Sequence, residues 1–172
     1  MAAWWRIVAG VVILAGAICA GVALKGCDDT AAAGVELVQI EGKKFFLEVA
    51  ADNDSRTLGL GGREYIADDG GMLFLFPEPA RRNFVMRDCP IAIDVIFLDQ
   101  LGNVTAIHAM PAEEPQGEDE SDYDYEMRLK RFPSRMAAQY AIELQGGKAS
   151  ELGVEPGDSI KLDFARLKAM AR

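Results

Sequence analysis

The chain has 172 residues, half of them hydrophobic, and a formal net charge of -9 at pH 7. That length allows one globular domain plus an appendage. The charge opposes direct nucleic-acid binding, which needs a basic surface against phosphate, and opposes docking of the domain itself on anionic lipid.

The N-terminal part is unlike the rest. Ile7 to Leu24, IVAGVVILAGAICAGVAL, runs 18 residues without a charge, behind Trp4, Trp5 and Arg6 and ahead of Lys25. A membrane span needs roughly 17 to 25 apolar residues and the apolar part of a signal peptide about 7 to 15, so the length favours a retained anchor. The tryptophan pair suits a membrane interface. Two other outcomes stay open: lipoprotein processing before Cys27 at LKGC (24–27), where Lys25 fits poorly, and simple cleavage with secretion. All three place the domain in or beyond the cell envelope, anchored in the inner membrane with its body on the extracytoplasmic side, or released as a lipoprotein or secreted protein. Residues 1–26 are thus read as anchor or signal segment, and CDDTAAAG (27–34) as a flexible tether. Cys19, Cys27 and Cys89 give no disulfide framework.

The folded domain is expected over residues 35–165. VELVQIEGKKFFLEVA (35–50) alternates and breaks at Glu41-Gly42-Lys43, which predicts a hairpin. DNDSRTLGLGGREY (52–65) reads as a loop with a short helical piece near Ser55 to Leu60. Strands are predicted at 71–76, 84–86 and 94–99, and VTAIHAM (104–110) pairs with the last of these across a glycine-containing loop. AEEPQGEDESDYDYE (112–126) carries eight carboxylates and little apolar surface, so it is expected to be a mobile acidic insertion. In MAAQYAIEL (136–144), Tyr140, Ile142 and Leu144 recur at period two, as in a half-buried strand. One helical turn at 149–152, a Pro-Gly turn and a closing strand at 159–164 complete the domain, and 166–172 is a tail, helical or frayed. Many short strands with one or two short helices predict a mostly β fold, a compact antiparallel sandwich or partly closed barrel.

The order Arg56, Gly59-Leu60, Arg63, GGMLFLFP (70–77), F-x-M-R (84–87), DVIF (94–97), Tyr140, IEL (142–144) and LGVEPGD (152–158) resembles the DUF192 (UPF0127) family over about 45–164. The resemblance implies a compact β-rich domain, often exported, without an assigned biochemical role. Where the family pattern commonly has Phe-Trp-Met-Lys-Asn, this chain has FVMRD, so Val85 stands for a large aromatic and Asp88 for an amide.

Charge inside apolar strands is the main pointer to a site. FVMRDCPIAIDVIFLD (84–99) sets Arg87 beside Asp88 and places Asp94 within an apolar run. On a strand, Asp94 shares a face with Ile96 and Leu98, at the end of a buried row. A carboxylate there is costly unless it is paired, and Arg56, Arg63, Arg87 and the Arg81-Arg82 pair are available cations that can answer it with two parallel bonds. Two readings follow. Either the charges pin a hairpin, or Arg56, Arg63, Arg87, Asp88 and Asp94 face a shallow cleft that binds an anionic or polyhydroxylated ligand.

Other motifs carry less. GLGGR (59–63) lacks the Lys-Ser or Lys-Thr of a phosphate loop and reads as a turn. His108 is the only histidine, so no site of several imidazoles can form, and no G-x-S-x-G turn presents a serine. Cys89 reads as a small buried residue. DESDYDYE (119–126) lacks the central glycine of an EF-hand loop and reads as solvated. No metal, cofactor or catalytic residue is assigned. The sequence therefore points to a membrane-tethered envelope domain, leaning away from enzymatic, that binds a small polar ligand or an envelope partner. A carboxylate-based hydrolase or transferase using Asp88 and Asp94, and a purely structural assembly factor, are the alternatives.

Overall fold

The structure, a computed structural model, describes residues 34–172. The anchor, the tether and the Cys27 processing site lie outside the described residues. Among the described residues, no helix is long and apolar enough to cross a membrane.

Strands β1 (Val35–Ile40) and β2 (Lys43–Ala50) form the expected hairpin, with Ile40 opposite Lys43 across the turn. Helix α1 (Asn53–Leu58) follows, started by a capping box in which Asp52 accepts from the Ser55 amide and Ser55 bonds back to the Asp52 backbone. The chain then re-enters the sheet as β3 (Gly70–Ala80), parallel to β2. A short strand β4 (Asn83–Phe84) leads to β5 (Ile93–Leu98) and β6 (Val104–Met110), an antiparallel pair. After α2 (Asp122–Arg128), the two-residue β7 (Phe132–Pro133) pairs with β4, and β8 (Ala138–Gln145) inserts between β3 and β5. Helices α3 (Lys148–Leu152) and α4 (Phe164–Met170) end the fold.

The result is one mixed six-stranded sheet in the order β1-β2-β3-β8-β5-β6, beside the small β4-β7 ribbon. The mostly β expectation holds, but among the described residues β1 and β6 are edge strands and the sheet does not close into a barrel. One pair, β2 with β3, is parallel, because α1 and its loop carry the chain back across the sheet end. Both faces are covered. Val38, Phe45, Leu73, Ile96, Tyr140 and Ile142 form one core under α3 and α4, where Leu167 is fully buried and Phe164 packs on Tyr140. Phe74, Met86, Val95, Phe97, Phe132 and Ala141 form the other. Apolar residues on both sides of β5 and β8 remove the water contact that gives alternation, so these strands read as continuous apolar runs.

Three local expectations are corrected. The acidic segment is not an unanchored insertion: its C-terminal part is α2, capped by Ser121, with Tyr125 buried and Arg128 bridging Glu120 to the Glu114 and Pro115 carbonyls. The strand expected at 84–86 ends at Phe84, since Met86 turns inward into the core and Asp88 takes a positive φ of 53°. Residues 159–164 make only an isolated bridge from Ser159 to Asn103 before α4 begins. Of the two readings of the tail the helical one holds: most of it belongs to α4, held by its buried Leu167.

Gly71 sets how closely two central strands meet. A Cβ there would collide with the Glu143 carbonyl oxygen, so β3 and β8 can approach only because this residue has none. Farther along, Pro77 and Pro79 interrupt β3, and the register slips between Leu75 and Ala80. Gln139 of β8 answers the freed carbonyls of Phe76 and Pro77 at 3.3 and 3.2 Å. This irregular end of β3 opens a space above the second face of the sheet.

Candidate functional site

That space is a cleft of about 740 Å³. Its walls are α1 and its loop, the end of β3, the segment from Arg81 to Cys89, and residues from α2 to Arg131. Phe74, Phe76 and Phe84 supply rings, with Phe84 edge-on to Phe74 at 4.9 Å between centroids. Arginines dominate the polar lining, which is notable in a chain with nine net negative charges.

At the sheet side lies Glu143, which is 5% exposed. Burial pushes its carboxyl up to about 8, against the opposing pull of the Leu60 backbone amide. Burial thus favours the protonated acid, the form able to donate a hydrogen bond. Its Oε2 is buried and has no hydrogen-bond partner. Gly59, φ 53° and ψ -136°, passes directly over this group. A Cβ at Gly59 would lie 3.5 Å from Oε2 and 3.4 Å from the Phe74 ring, so a side chain at this position would cover both.

The arginines differ in how far their donors are used. Arg56 is spent on the fold: its guanidinium bonds the carbonyls of Ala51, Leu75 and Arg172 and the Asn53 side chain at 2.6 to 2.8 Å. Arg82 stacks over Phe76 at 4.0 Å and bonds the Glu78 carbonyl, while its Nε is buried without a partner. Burial and then the charge of Arg56 lower its pKa. Arg87 and Arg131 share Glu126, whose carboxyl they hold below the ordinary range, Arg131 contributing most. Two guanidinium groups on one carboxylate leave a surplus of positive charge at that wall.

Of the five residues singled out in the sequence, the fold brings Arg56 and Arg87 to this cleft and separates the rest. Asp88 is exposed and lies with Arg87 on a neighbouring depression of about 540 Å³; its backbone amide donates to the Tyr125 hydroxyl, which donates to Asp88 Oδ1. An Asp, like the Asn of the family pattern, tolerates the positive φ found there. Arg63 pairs in parallel with Glu48, at 2.5 and 2.6 Å, and lines neither cavity. Asp94 is 2% exposed and faces α3, where its Oδ2 accepts from the Ala149 amide at 2.8 Å. The expected gathering of Arg56, Arg63 and Arg87 around Asp94 does not occur. Asp94 is answered by a helix backbone rather than by a guanidinium, and its side chain points to the other face of the sheet. Asp88 and Asp94 do not share a cavity.

Two residues of the cleft were not expected from sequence: Glu143 and Arg131. Glu143 was readable in principle, since an acidic residue inside AQYAIELQ repeats the pattern that drew attention to Asp94. Val85, at the position of the family's large aromatic, also lines the cleft. His108 donates from Nε2 to the Pro133 carbonyl and packs on Phe132, and Cys89 is a buried wall residue whose thiol burial pushes up to about 12. Among the described residues no cluster of metal-ligating side chains occurs.

Residues 36–162 match the model of DUF192, described as "Uncharacterized ACR". The chain belongs to the DUF192 family. A crystal structure from Sinorhizobium meliloti 1021, of a protein named there as a candidate transcription regulator, is similar at 30% identity and TM-score 0.56, covering 74% of this chain and 90% of that one. A protein of unknown function from Novosphingobium aromaticivorans DSM 12444 is similar at 25% identity and TM-score 0.57, covering 74% and 85%. No curated protein matches the chain.

Proposed function

We propose that this is a non-catalytic binding domain, tethered to the cell envelope by its apolar N-terminal segment, that takes a small anionic ligand in the arginine-lined cleft. The observation that carries the reading is the lining of the cleft: Arg81, Arg82, Arg87 and Arg131 border a concave site whose walls also hold aromatic rings, in a chain of net charge -9. The regulator description of the Sinorhizobium protein does not extend to this reading, since a net charge of -9 opposes contact with nucleic-acid phosphates. Export rests on the uncharged stretch from Ile7 to Leu24.

A thermal-shift panel of phosphate, organic acids, sugars and nucleotides tests the binding reading. Anions should raise Tm, and the shift should be lost in Arg87→Ala; a folded Arg87→Ala variant with an unchanged response would contradict it. The intact mass of protein extracted from membranes tests the tether.

A further inference from the structure

Resting on the anion-site reading, we propose that Glu126 is a resident occupant of the anion site, and that the ligand is an oxyanion with two negative charges that displaces it from Arg87 and Arg131. The cleft already holds a carboxylate between two of its guanidinium groups. Glu126 Oε1 accepts from Arg131 at 2.8 Å, and Oε2 accepts from Arg87. One carboxylate thus takes a donor from each arginine, as an incoming carboxylate or phosphate would. All three side chains line the cleft and meet solvent, Glu126 and Arg87 being 37% exposed and Arg131 45%. Ion pairs at such exposure are weak and open readily. Releasing Glu126 also leaves α2 its other ties: the Ser121 cap, the buried Tyr125 with its bonds to Asp88, and the pair of Arg128 with Glu120.

Competition with Glu126 sets the charge of the ligand. Arg131 and then Arg87 hold its carboxyl below the ordinary range, so the competitor stays ionised at neutral pH. Because it is tethered to α2, its effective concentration at the two arginines is on the order of millimolar or above. A single external carboxylate would duplicate the two bonds of Glu126 and meet that competition without gaining a contact. A dianion gains more. Among the described residues Arg87 commits only Nη2, to Glu126, so its other guanidinium nitrogens remain for further oxygens. Arg81, exposed on the same cleft, enters no ion pair among the described residues and supplies a third cation.

Isothermal titration of the full-length protein with methyl phosphate, malonate and acetate tests this, at about pH 7.5, where a phosphate monoester with a second pKa of about 6 is a dianion. In the natural chain the two dianions should bind at least about ten-fold more tightly than acetate, and the tighter of the two tells a phosphate ligand from a dicarboxylate. Glu126→Gln, which removes the resident charge, should bind all three anions about ten-fold more tightly, because affinity is lowered by the fraction of sites already filled. Tyr125→Phe, which loosens α2 from Asp88 without touching the arginines, should bind as the natural chain does. If acetate binds the natural chain as tightly as the dianions, or if anions bind only Glu126→Gln, displacement by a dianion is wrong while an anion site remains. If Glu126→Gln gains nothing, or Tyr125→Phe gains as much, Glu126 is a brace for α2 and the inference fails while the anion site stands. If no anion binds either the natural chain or Glu126→Gln, the anion site fails and this inference with it.

Discussion

Asp94 and Glu143 sit on adjacent strands one register step apart and point to opposite faces of the sheet. Asp94 of β5 is opposite Leu144 of β8, and Glu143 is opposite Val95. Because side chains alternate, one step sends Asp94 under α3 and Glu143 into the cleft. The two buried carboxyls therefore have different surroundings: Asp94 ties a helix to the sheet, and Glu143 lies buried in the wall of the cleft.

Asp94→Ala removes the acceptor for the Ala149 amide and leaves that N–H buried. It should destabilise the domain by about 1 to 3 kcal/mol in urea unfolding, without changing the response to anions. Loss of anion response in a variant that retains its fold would return Asp94 to the site.

Glu143 makes stability depend on pH in a stated direction. Its pKa rises from 4.5 to about 8 on folding, so between these values the native state holds a proton that the unfolded chain has lost. Stability then falls as pH rises through this window, by up to about 1.4 kcal/mol per unit, and levels off above it. Glu48 and Glu151 act in the opposite sense, because their carboxyls are lowered by Arg63 and by Lys148 with Lys43; their contributions disappear only in acid. Urea melts from pH 5.5 to 8.5 should slope downward for the natural chain and be flatter for Glu143→Gln. Parallel curves would contradict a neutral Glu143.

The two arginines of the family motif that flank Gly59 should differ sharply. Arg56 makes four bonds that close α1, β3 and Arg172 around it, so Arg56→Ala should cost about 2 kcal/mol or more. Arg63 and Glu48 are 39% and 45% exposed, so Arg63→Ala should cost under about 1 kcal/mol. Chemical denaturation of the two variants compares them; equal costs would contradict this division.

Cys89 is buried, and its thiol is pushed up to about 12 by burial first and then by the nearby Glu143 and Asp88 carboxyls. Native protein at pH 8 should take up iodoacetamide at this position at least about ten times more slowly than unfolded protein. Comparable rates would show an accessible thiolate.

Strands were legible where an apolar run is bounded by turns, as in VELVQI, VTAIHAM and DVIFLD. What misled was the number of buried faces. Period two in Tyr140, Ile142 and Leu144 suggested that Glu143 looked into water, but β8 is central and Ala141 and Glu143 turn toward a second core. The same doubling hid the partner of Asp94, because no local pattern tells that α3 will place its backbone there. Carboxylate density in 112–126 pointed to solvent, while one tyrosine and a Ser cap were enough to fold α2 against Asp88. Arg131 was invisible as a cleft residue because only Glu126, five positions earlier and on α2, brings it toward Arg87.

The ionisation of Glu143 is best read directly by carbon-13 NMR of its side-chain carboxyl, assigned by its disappearance in Glu143→Gln. A carboxyl resonance that titrates near pH 8, and shifts when an anion is added, is the result expected of a neutral acid facing the arginine cleft. Titration near the ordinary glutamate value of about 4.3 would show a charged group at neutral pH, and would contradict the site.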